Sequence, residues 1–351
     1  MAIAPSSTAS PASARGRGGN FADFRLAVDG KDYSPGIRDR LHSLSLTEKR
    51  GGEADQLDLV LDDSDGKTPL PGLRALARVS LGWLTGADVP IGLVDKGSFI
   101  IDAVDWGGPP DRVTIRGRSA DLTAAFRVRR EVGHRGTTLG AIARDIARRH
   151  RLSAQIAPEL ADVAVPVIAQ HHQSDMALLR RLGRDHDAIA TVKQGKLILS
   201  PIGRLAATSG AALPALTLRR SDVGIGYRFS LVERSADAGV EARWHDQDAA
   251  ERRTVKVGGT EGKQARRLRR VYHSEAEARA AATSEANRAK RAEATMDLPL
   301  PFGRPDIFPD RPVTLVGFKR DVDARAWLVA EAVHSLDGTG GLRTTLKLET
   351  R

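Results

Sequence analysis

The stretch HHQSDMALLRRLGRDHDA, residues 171–188, carries three histidines and three aspartates within eighteen positions. Imidazoles and carboxylates at this density could bind a metal ion or act as an acid–base pair. A zinc site on a helix needs two ligands at positions i and i+4 and a third that converges on them. No pair here has that spacing, because His171 and His172 precede the expected helix and His186 follows His172 by fourteen residues. We therefore expect two solvent-exposed histidines, one histidine at the helix end and no metal site.

The helix of this stretch has a defined beginning and one apolar face. Ser174 is a favourable N-cap residue. His186 follows the last leucine of the apolar face by four residues, and Asp185 and Asp187 point to different sides of the helix, so they do not converge. The apolar face consists of Leu178, Leu179 and Leu182. The pattern predicts an amphipathic helix with a structural role.

Motifs of established catalytic chemistry are absent from the rest of the sequence. There is no G-x-S-x-G, no P-loop, no H-E-x-x-H and no dinucleotide-binding fingerprint, and GGTEGK (258–263) lacks the spacing of a phosphate loop. The chain has no cysteine, which excludes disulfides, thiolate metal sites and cysteine nucleophiles. We expect no enzyme activity and no cofactor. A hydrolase that uses the His186 region remains an alternative, and it should lose activity when His186 or Asp185 is substituted.

Length and composition indicate a folded protein of two or three domains. The chain has 351 residues, of which 41% are hydrophobic. It contains no apolar run of eighteen residues, so no transmembrane helix is expected. Residues 1–20 are rich in Pro, Ser, Ala and Gly and lack the apolar core of a signal peptide, which predicts a flexible N-terminal segment.

The periodicity of apolar residues divides the remaining chain into three parts. Residues 21–130 show short runs of alternating apolar residues between turn signals, as expected for a β-barrel or sandwich. Residues 131–203 predict a small α/β module, with one helix capped by Thr138 and the helix described above. Residues 204–351 return to β patterning, with an inserted helix at 275–293 that opens with a Ser-x-x-Glu capping box. The expected fold class is mainly β with an α/β insert.

The formal net charge of +10 is unevenly distributed. Residues 263–270 form the densest basic block and residues 53–65 an acidic block, so the two could meet between copies of the chain. Aromatic residues make up 4% of the chain and do not interleave with the basic block, and no helix-turn-helix is evident. We therefore expect no specific binding of nucleic acid. The candidate contact residues are Arg266, Arg267, Arg269, Arg270, Asp55 and Asp58.

The order of these segments resembles the phage late control gene D protein family, the hub of contractile-tail baseplates. The resemblance runs from about Phe24 to Leu348 and depends on the order and spacing of its segments more than on any one of them. The carrying segments are TLGAIARDIARRHRL (138–152), QSDMALLRRLGRDHDA (173–188), KLILSPIG (196–203), SEAEARAAATSEANRAKR (274–291) and the tail 308–349. In that family a Gln-Ser-Asp-x-x-x-Leu-x-x-Leu helix is a structural signature without a catalytic role. Here it corresponds to Ser174, Asp175, Leu178, Leu179 and Leu182.

The resemblance implies an architecture and a place in a particle. It implies two tail-tube-like β-barrel domains, at 21–130 and 204–351, with the α/β module between them. It also implies a homotrimer, in which three copies with two barrels each form a pseudo-sixfold ring between the sixfold tube and the trimeric spike. Related type VI secretion proteins fuse this hub to a spike, whereas this chain ends at Arg351 directly after its last strand, so we expect a separate spike protein.

The expected partners are the spike, the tail tube, tape measure and baseplate wedge proteins, and no membrane. The protein would be made in the bacterial host cytoplasm and reside in the tail baseplate of a virion or a phage-tail-like particle. The word "control" in the family name keeps a nucleic-acid-binding late-gene regulator open as an alternative. Such a regulator should give a base-dependent DNA footprint, whereas a hub should form rings.

Overall fold

The computed structural model describes residues 19–51, 54–119, 126, 128–193, 195–206, 210–232, 239–259, 264–337 and 341–351. The chain is mainly β with an α/β insert, which confirms the expected fold class. Most of the N-terminal segment expected to be flexible, residues 1–18, lies outside the described residues. No helix in the described part of the chain is long and apolar enough to cross a membrane.

The first β unit is an antiparallel sheet with strand order β3-β4-β7-β6-β5-β1-β2. Its strands alternate buried and exposed residues, so one face of the sheet packs on a core. Leu57, Leu59 and Leu61 of β4 are each at most 2% exposed. The strands are β1 (Phe21–Val28), β2 (Lys31–Asp32), β3 (Leu41–Lys49), β4 (Gln56–Asp62), β5 (Leu76–Thr85), β6 (Gly92–Gly107) and β7 (Arg112–Ser119), with the short helix α1 (Ser34–Ile37).

The α/β module follows, and its two longer helices begin where the sequence predicts. Thr138 accepts a hydrogen bond from Ala141 N–H at the start of α2, and Ser174 accepts one from Ala177 N–H at the start of α4. The two helices share one core with the strands of the module. The elements are β8 (Arg129–Thr138), α2 (Leu139–Arg149), β9 (Ser153–Ile156), α3 (Pro158–Ala161), β10 (Ala164–Ser174), α4 (Asp175–Asp185), β11 (Ala188–Lys193) and β12 (Lys196–Pro201).

The second β unit has strand order β13-β19-β20-β21-β18-β14 and its own apolar core. All pairs in this order are antiparallel except the parallel pair of β13 and β19. The elements are β13 (Leu216–Arg219), β14 (Arg228–Leu231), β18 (Ala294–Leu300), β19 (Pro312–Val316), α6 (Arg320–Asp323), β20 (Trp327–Asp337) and β21 (Gly341–Thr350).

An additional layer is inserted between β14 and β18. It consists of a three-stranded sheet, β15 (Val240–Asp246), β16 (Glu251–Val257) and β17 (Arg266–Tyr272), and the helix α5 (Glu275–Arg291), and it has a separate core. The sequence predicts these strands in the second barrel because they show the same alternating pattern as its other strands. Such a pattern does not reveal which strands pair with one another. Ser274 caps α5 as expected, but the Glu277 carboxylate accepts from His273 N–H, so the expected capping box is not reciprocal.

One hairpin joins the two β units. β20 pairs with β3 of the first unit and with β21 of the second, which makes a single sheet of thirteen strands among the described residues. Leu336 and Leu342, at the tip of the hairpin, pack in the first core, whereas Trp327 at its base packs in the second. Trp83 of β5 also donates a hydrogen bond of 2.8 Å to a backbone carbonyl of the second unit. The two units therefore form one continuous body.

Candidate functional site

The most deeply buried charge of the module is Asp175, the first residue of α4. Its side chain is 0% exposed. It accepts hydrogen bonds from Arg149 Nη1 at 2.8 and 2.9 Å and from Gln170 Nε2 at 2.8 Å. His150 Nε2 lies 2.8 Å and Arg130 Nε 3.2 Å from the carboxylate. One side chain therefore ties together β8, the end of α2, β10 and the start of α4.

This cluster is built for structure and not for catalysis. Burial by itself would raise the pKa of Asp175, but the hydrogen bonds from Gln170, His150 and Arg149 outweigh it and lower the pKa. The His150 ring also stacks on Phe126 with a centroid separation of 3.7 Å. The carboxylate is thus held ionised by side chains of its own chain, and no substrate can reach it.

The apolar face of α4 is buried as the sequence predicts. Leu178, Leu179 and Leu182 are at most 1% exposed. Gly183 allows β11 to approach, because a Cβ at this position would lie 2.7 Å from the Ala188 carbonyl oxygen. The signature helix therefore packs closely against the strand that follows it.

The surroundings of His186 leave no room for a substrate. Burial lowers the pKa of His186 and raises the pKa of Asp185, two shifts that could suit acid–base work. The cavity beside them has a volume of only about 20 Å³, however, which holds a single water molecule at most. Arg270 Nη1 already donates to Asp185 Oδ2 at 2.7 Å. The geometry therefore does not support the hydrolase alternative.

Most of the predicted arginine contacts are satisfied within the chain. Arg266 pairs with Glu285 of α5 at 2.6 Å, Arg267 with Glu241 of β15 at 3.2 Å, and Arg270 with Asp185 as described above. Arg269 is exposed, and Lys263 at the start of the basic block lies outside the described residues. The basic block thus stabilises the inserted layer and its contact with the module.

The predicted acidic contacts divide in the same way. Asp55 is 8% exposed and pairs with Lys193 of β11 at 3.1 Å, so it joins the first β unit to the module. Asp58 is at the surface, where Arg116 lies 3.6 Å away. Glu53 lies outside the described residues. Of the two aspartates only Asp58 is available to another molecule.

A buried polar cluster that the sequence patterns do not predict lies between the two β units. Glu48 of β3 accepts from Lys96 Nζ at 2.5 Å, and His334 Nε2 of β20 lies 3.2 Å from the same carboxylate. His334 Nδ1 is 2.8 Å from Thr344 Oγ1 of β21. Burial opposes ionisation of Glu48, but the hydrogen bond from His334 and the charge of Lys96 lower its pKa to about 2. The Glu48 carboxylate is therefore ionised, and the ammonium group of Lys96 beside it offsets its charge.

A second unpredicted feature is an open groove of about 840 Å³ where the first β unit, the module, α5 and the β20–β21 hairpin meet. Seven basic and only two acidic side chains line it, so its wall is predominantly basic. Arg291 is fixed in the groove wall by ion pairs with Asp187 and Glu349, whereas Arg184 and Lys347 are exposed. We refer to it as the basic groove.

Known proteins resemble this chain over nearly its whole length. Residues 56–339 match the model of a family described as phage tail baseplate hub (GPD). The probable baseplate hub protein of Escherichia phage P2 is 36% identical over 367 aligned positions, which cover 94% of this chain and 93% of the relative.

Two solved structures share the fold at low sequence identity. A tail protein of Neisseria meningitidis MC58 aligns with a TM-score of 0.68 at 15% identity and covers 94% of this chain and 96% of its own. A type VI secretion system component of E. coli aligns with a TM-score of 0.58 at 12% identity and covers 93% of this chain and 76% of its own. The family match and the 36% identical relative lead to the same conclusion. The chain belongs to the phage tail baseplate hub family.

Proposed function

We propose that three copies of this chain form a pseudo-sixfold ring that joins the tail tube to a separate trimeric spike. As a member of the hub family, the chain is a non-enzymatic structural protein of the virion tail baseplate. The observation that carries the proposal is the presence of two β units within one continuous sheet.

Among the described residues, each β unit has six main strands, and the two units share one sheet. Three copies would therefore present six β units around an axis. Such a ring can meet a sixfold tube on one face and a threefold spike on the other. The shared β20–β21 hairpin would hold the two units of each copy at a fixed angle.

The ends of the thirteen-stranded sheet support head-to-tail contacts between copies. β14 and β2 are the terminal strands of the ordered path, and an open edge exposes backbone groups that another chain can pair with. Exposed apolar side chains lie near both ends, including Phe21 at 49%, Leu231 at 57% and Val232 at 46%. If the β14 end of one copy contacts the β2 end of the next, the contact joins two different surfaces and is heterologous. Such contacts close into a ring of three when successive copies are related by a rotation of 120°.

Charged side chains at the surface would help to fix how neighbouring copies align at this contact. We propose that Arg269 of one copy faces Asp58 of its neighbour, because Arg269 is exposed and the Asp58 side chain is 45% exposed, with Arg116 of its own chain no closer than 3.6 Å. An exposed pair adds only about 0–1 kcal/mol, so its effect should be on assembly rate and register. Arg269→Glu should slow assembly, and Asp58→Lys in the same chain should restore it in part.

The basic groove is our candidate contact for another baseplate protein with an acidic segment. A variant that combines Arg184→Glu with Lys347→Glu keeps the anchored Arg291 in place and reverses the exposed charges. We expect this variant to form rings at the normal rate and to yield fewer complete particles. Rings and particles at wild-type levels would exclude the groove as a partner contact.

Native mass spectrometry of the purified chain tests the ring. We expect about 113 kDa, three times the 37.7 kDa chain, and threefold particles by negative-stain electron microscopy. Leu231→Asp together with Val232→Asp should leave monomers. The matched control is Val167→Asp, since Val167 is similarly exposed, at 41%, but lies on the module. A wild-type chain that stays monomeric in the presence of its tube and spike proteins would refute the proposal, and a base-dependent DNA footprint would favour the regulator.

A further inference from the structure

The two adjacent histidines of the opening stretch lie at an irregularity in β10. In the register with β8, Gln170 pairs with Val132 and Gln173 pairs with Arg130. Two residues, His171 and His172, therefore stand opposite the single residue Glu131, which is the arrangement of a β-bulge. His172 has a φ of 47°, in the left-handed region that few residues other than glycine adopt.

The bulge brings together side chains that a regular strand would separate. Successive residues of a regular strand point to opposite faces of the sheet. Here the two imidazole rings are 4.7 Å apart, centroid to centroid, and both approach the Glu131 carboxylate. His171 Nδ1 is 3.6 Å and His172 Nε2 3.1 Å from the same carboxylate oxygen.

These distances match those between ligands of one metal ion. Zinc binds nitrogen and oxygen at about 2.0–2.2 Å, so two ligands at the tetrahedral angle are about 3.4 Å apart. The two measured distances lie on either side of that value, and all three ligand atoms lie within 4.8 Å of one another. A small rotation of the exposed side chains would place all three around one ion.

We propose that Glu131, His171 and His172 form a surface binding site for a divalent transition-metal ion of the zinc type. Two imidazoles and one carboxylate are the donors that Zn²⁺ accepts, whereas Mg²⁺ and Ca²⁺ prefer oxygen ligands. The side chains are 61–76% exposed, so water would complete the coordination sphere. The bound ion would cross-link β8 and β10 where the bulge interrupts their hydrogen bonds.

The proposal reverses the expectation from sequence, which rested on helical ligand spacing. The competing explanation is a surface ion pair between Glu131 and protonated histidine, which needs no metal. Binding of Zn²⁺ by these three residues and by no other exposed histidine distinguishes the two explanations.

Isothermal titration of the full chain with Zn²⁺ is the direct test. The protein should carry no polyhistidine tag and should be treated with a chelator and dialysed first. We expect one site per chain. His172→Asn should weaken binding by about tenfold or more, and asparagine tolerates the positive φ, so the bulge is preserved. Glu131→Gln should weaken binding as well, since it keeps the shape and removes the charge.

His245→Asn is the matched control, because His245 is exposed but lies in the inserted layer. It should bind Zn²⁺ as the wild type does. Hydrogen exchange supplies a second measurement, in which Zn²⁺ should slow exchange in β8 and β10 of the wild type and have no effect in the His172→Asn variant. The proposal would be overturned if the wild type showed no saturable binding. It would also be overturned if the His172→Asn and Glu131→Gln variants bound Zn²⁺ as tightly as the wild type does.

Discussion

Replacement of the buried Asp175 carboxylate by an amide, Asp175→Asn, should destabilise the α/β module without change of shape. The wild-type carboxylate accepts from Arg149 and Gln170 and lies within 3.2 Å of His150 and Arg130. Loss of one partner of a buried ion pair costs about 3–5 kcal/mol, because the remaining charge stays poorly solvated. The two arginines are 29% and 32% exposed, so water can recover part of that loss. We expect a destabilisation of about 2–4 kcal/mol.

The measurement must report on the module itself. The four tryptophans of the chain lie at positions 83, 106, 244 and 327, outside the module, so intrinsic fluorescence follows other parts of the protein. Native-state hydrogen exchange of peptides from α2 and α4 resolves the effect locally. A loss of 2–4 kcal/mol corresponds to exchange that is about 30–900 times faster.

A surface ion pair on α2, the other long helix of the module, supplies the control. Asp145 lies 2.9 Å from Arg148, and both side chains are largely exposed. Asp145→Asn should change stability by less than about 0.5 kcal/mol. If Asp175→Asn accelerates exchange no more than Asp145→Asn does, the buried cluster does not stabilise the module and the reasoning is wrong.

The same cluster predicts a pH dependence with a definite sign. The hydrogen bonds of Asp175 lower its pKa in the folded state from the ordinary value of 3.8. Its contribution is therefore complete above pH 3.8 and is lost as the pH falls through the lower folded-state pKa. The stability difference between the wild type and Asp175→Asn should be large at pH 7 and shrink in acid, as measured by urea unfolding monitored by circular dichroism.

Further predictions concern the packing and the junction of the β units. Leu182→Ala should cost about 2–5 kcal/mol and His186→Gln much less, as measured by chemical unfolding, and equal effects would mean that the leucine face is not the core of the module. Gly82→Ala should lower the melting temperature, because a Cβ there would lie 1.9 Å from a backbone oxygen, whereas Gly133→Ala has open space and should be neutral. The pKa of Glu48 is lowered to about 2, so its ionised side chain stabilises the wild type above pH 4.5 and this contribution is lost as the pH falls to about 2. Glu48→Gln should remove this contribution and so weaken the pH dependence of stability in that range. An acid unfolding curve identical to that of the wild type would contradict this.

The helices were predictable because their signals are local. Thr138 and Ser174 cap their helices as expected, and the leucines at i, i+1 and i+4 of α4 are buried. Each of these features depends on residues within one or two turns of each other. The mainly β fold class was predictable for the same reason, since alternation along a strand is also a local pattern.

The partition of the strands was not predictable from the same patterns. β15 pairs in parallel with β17 and antiparallel with β16, in a sheet that packs on α5 and is separate from the thirteen-stranded sheet. Alternation predicts that a strand has one buried face, but it does not say which core that face contacts. The bulge at His172 could not be predicted for a related reason. The register of β10 is set by its pairing with β8 and not by the residues next to His172 in the sequence.

Charged residues were the most difficult to interpret, because sequence rules assign them to the surface. Glu48 and His334 are 286 positions apart and meet in a buried cluster between the β units. Asp187 of the module and Arg291 of α5 are 104 positions apart and form an ion pair beside the basic groove. Both pairs join parts of the chain that have separate cores. A buried charge without its partner is costly, so each pair penalises any displacement of one part relative to another. Fixed angles within each copy are what a closed ring of three copies requires, so these buried polar pairs would serve the proposed assembly from inside each copy.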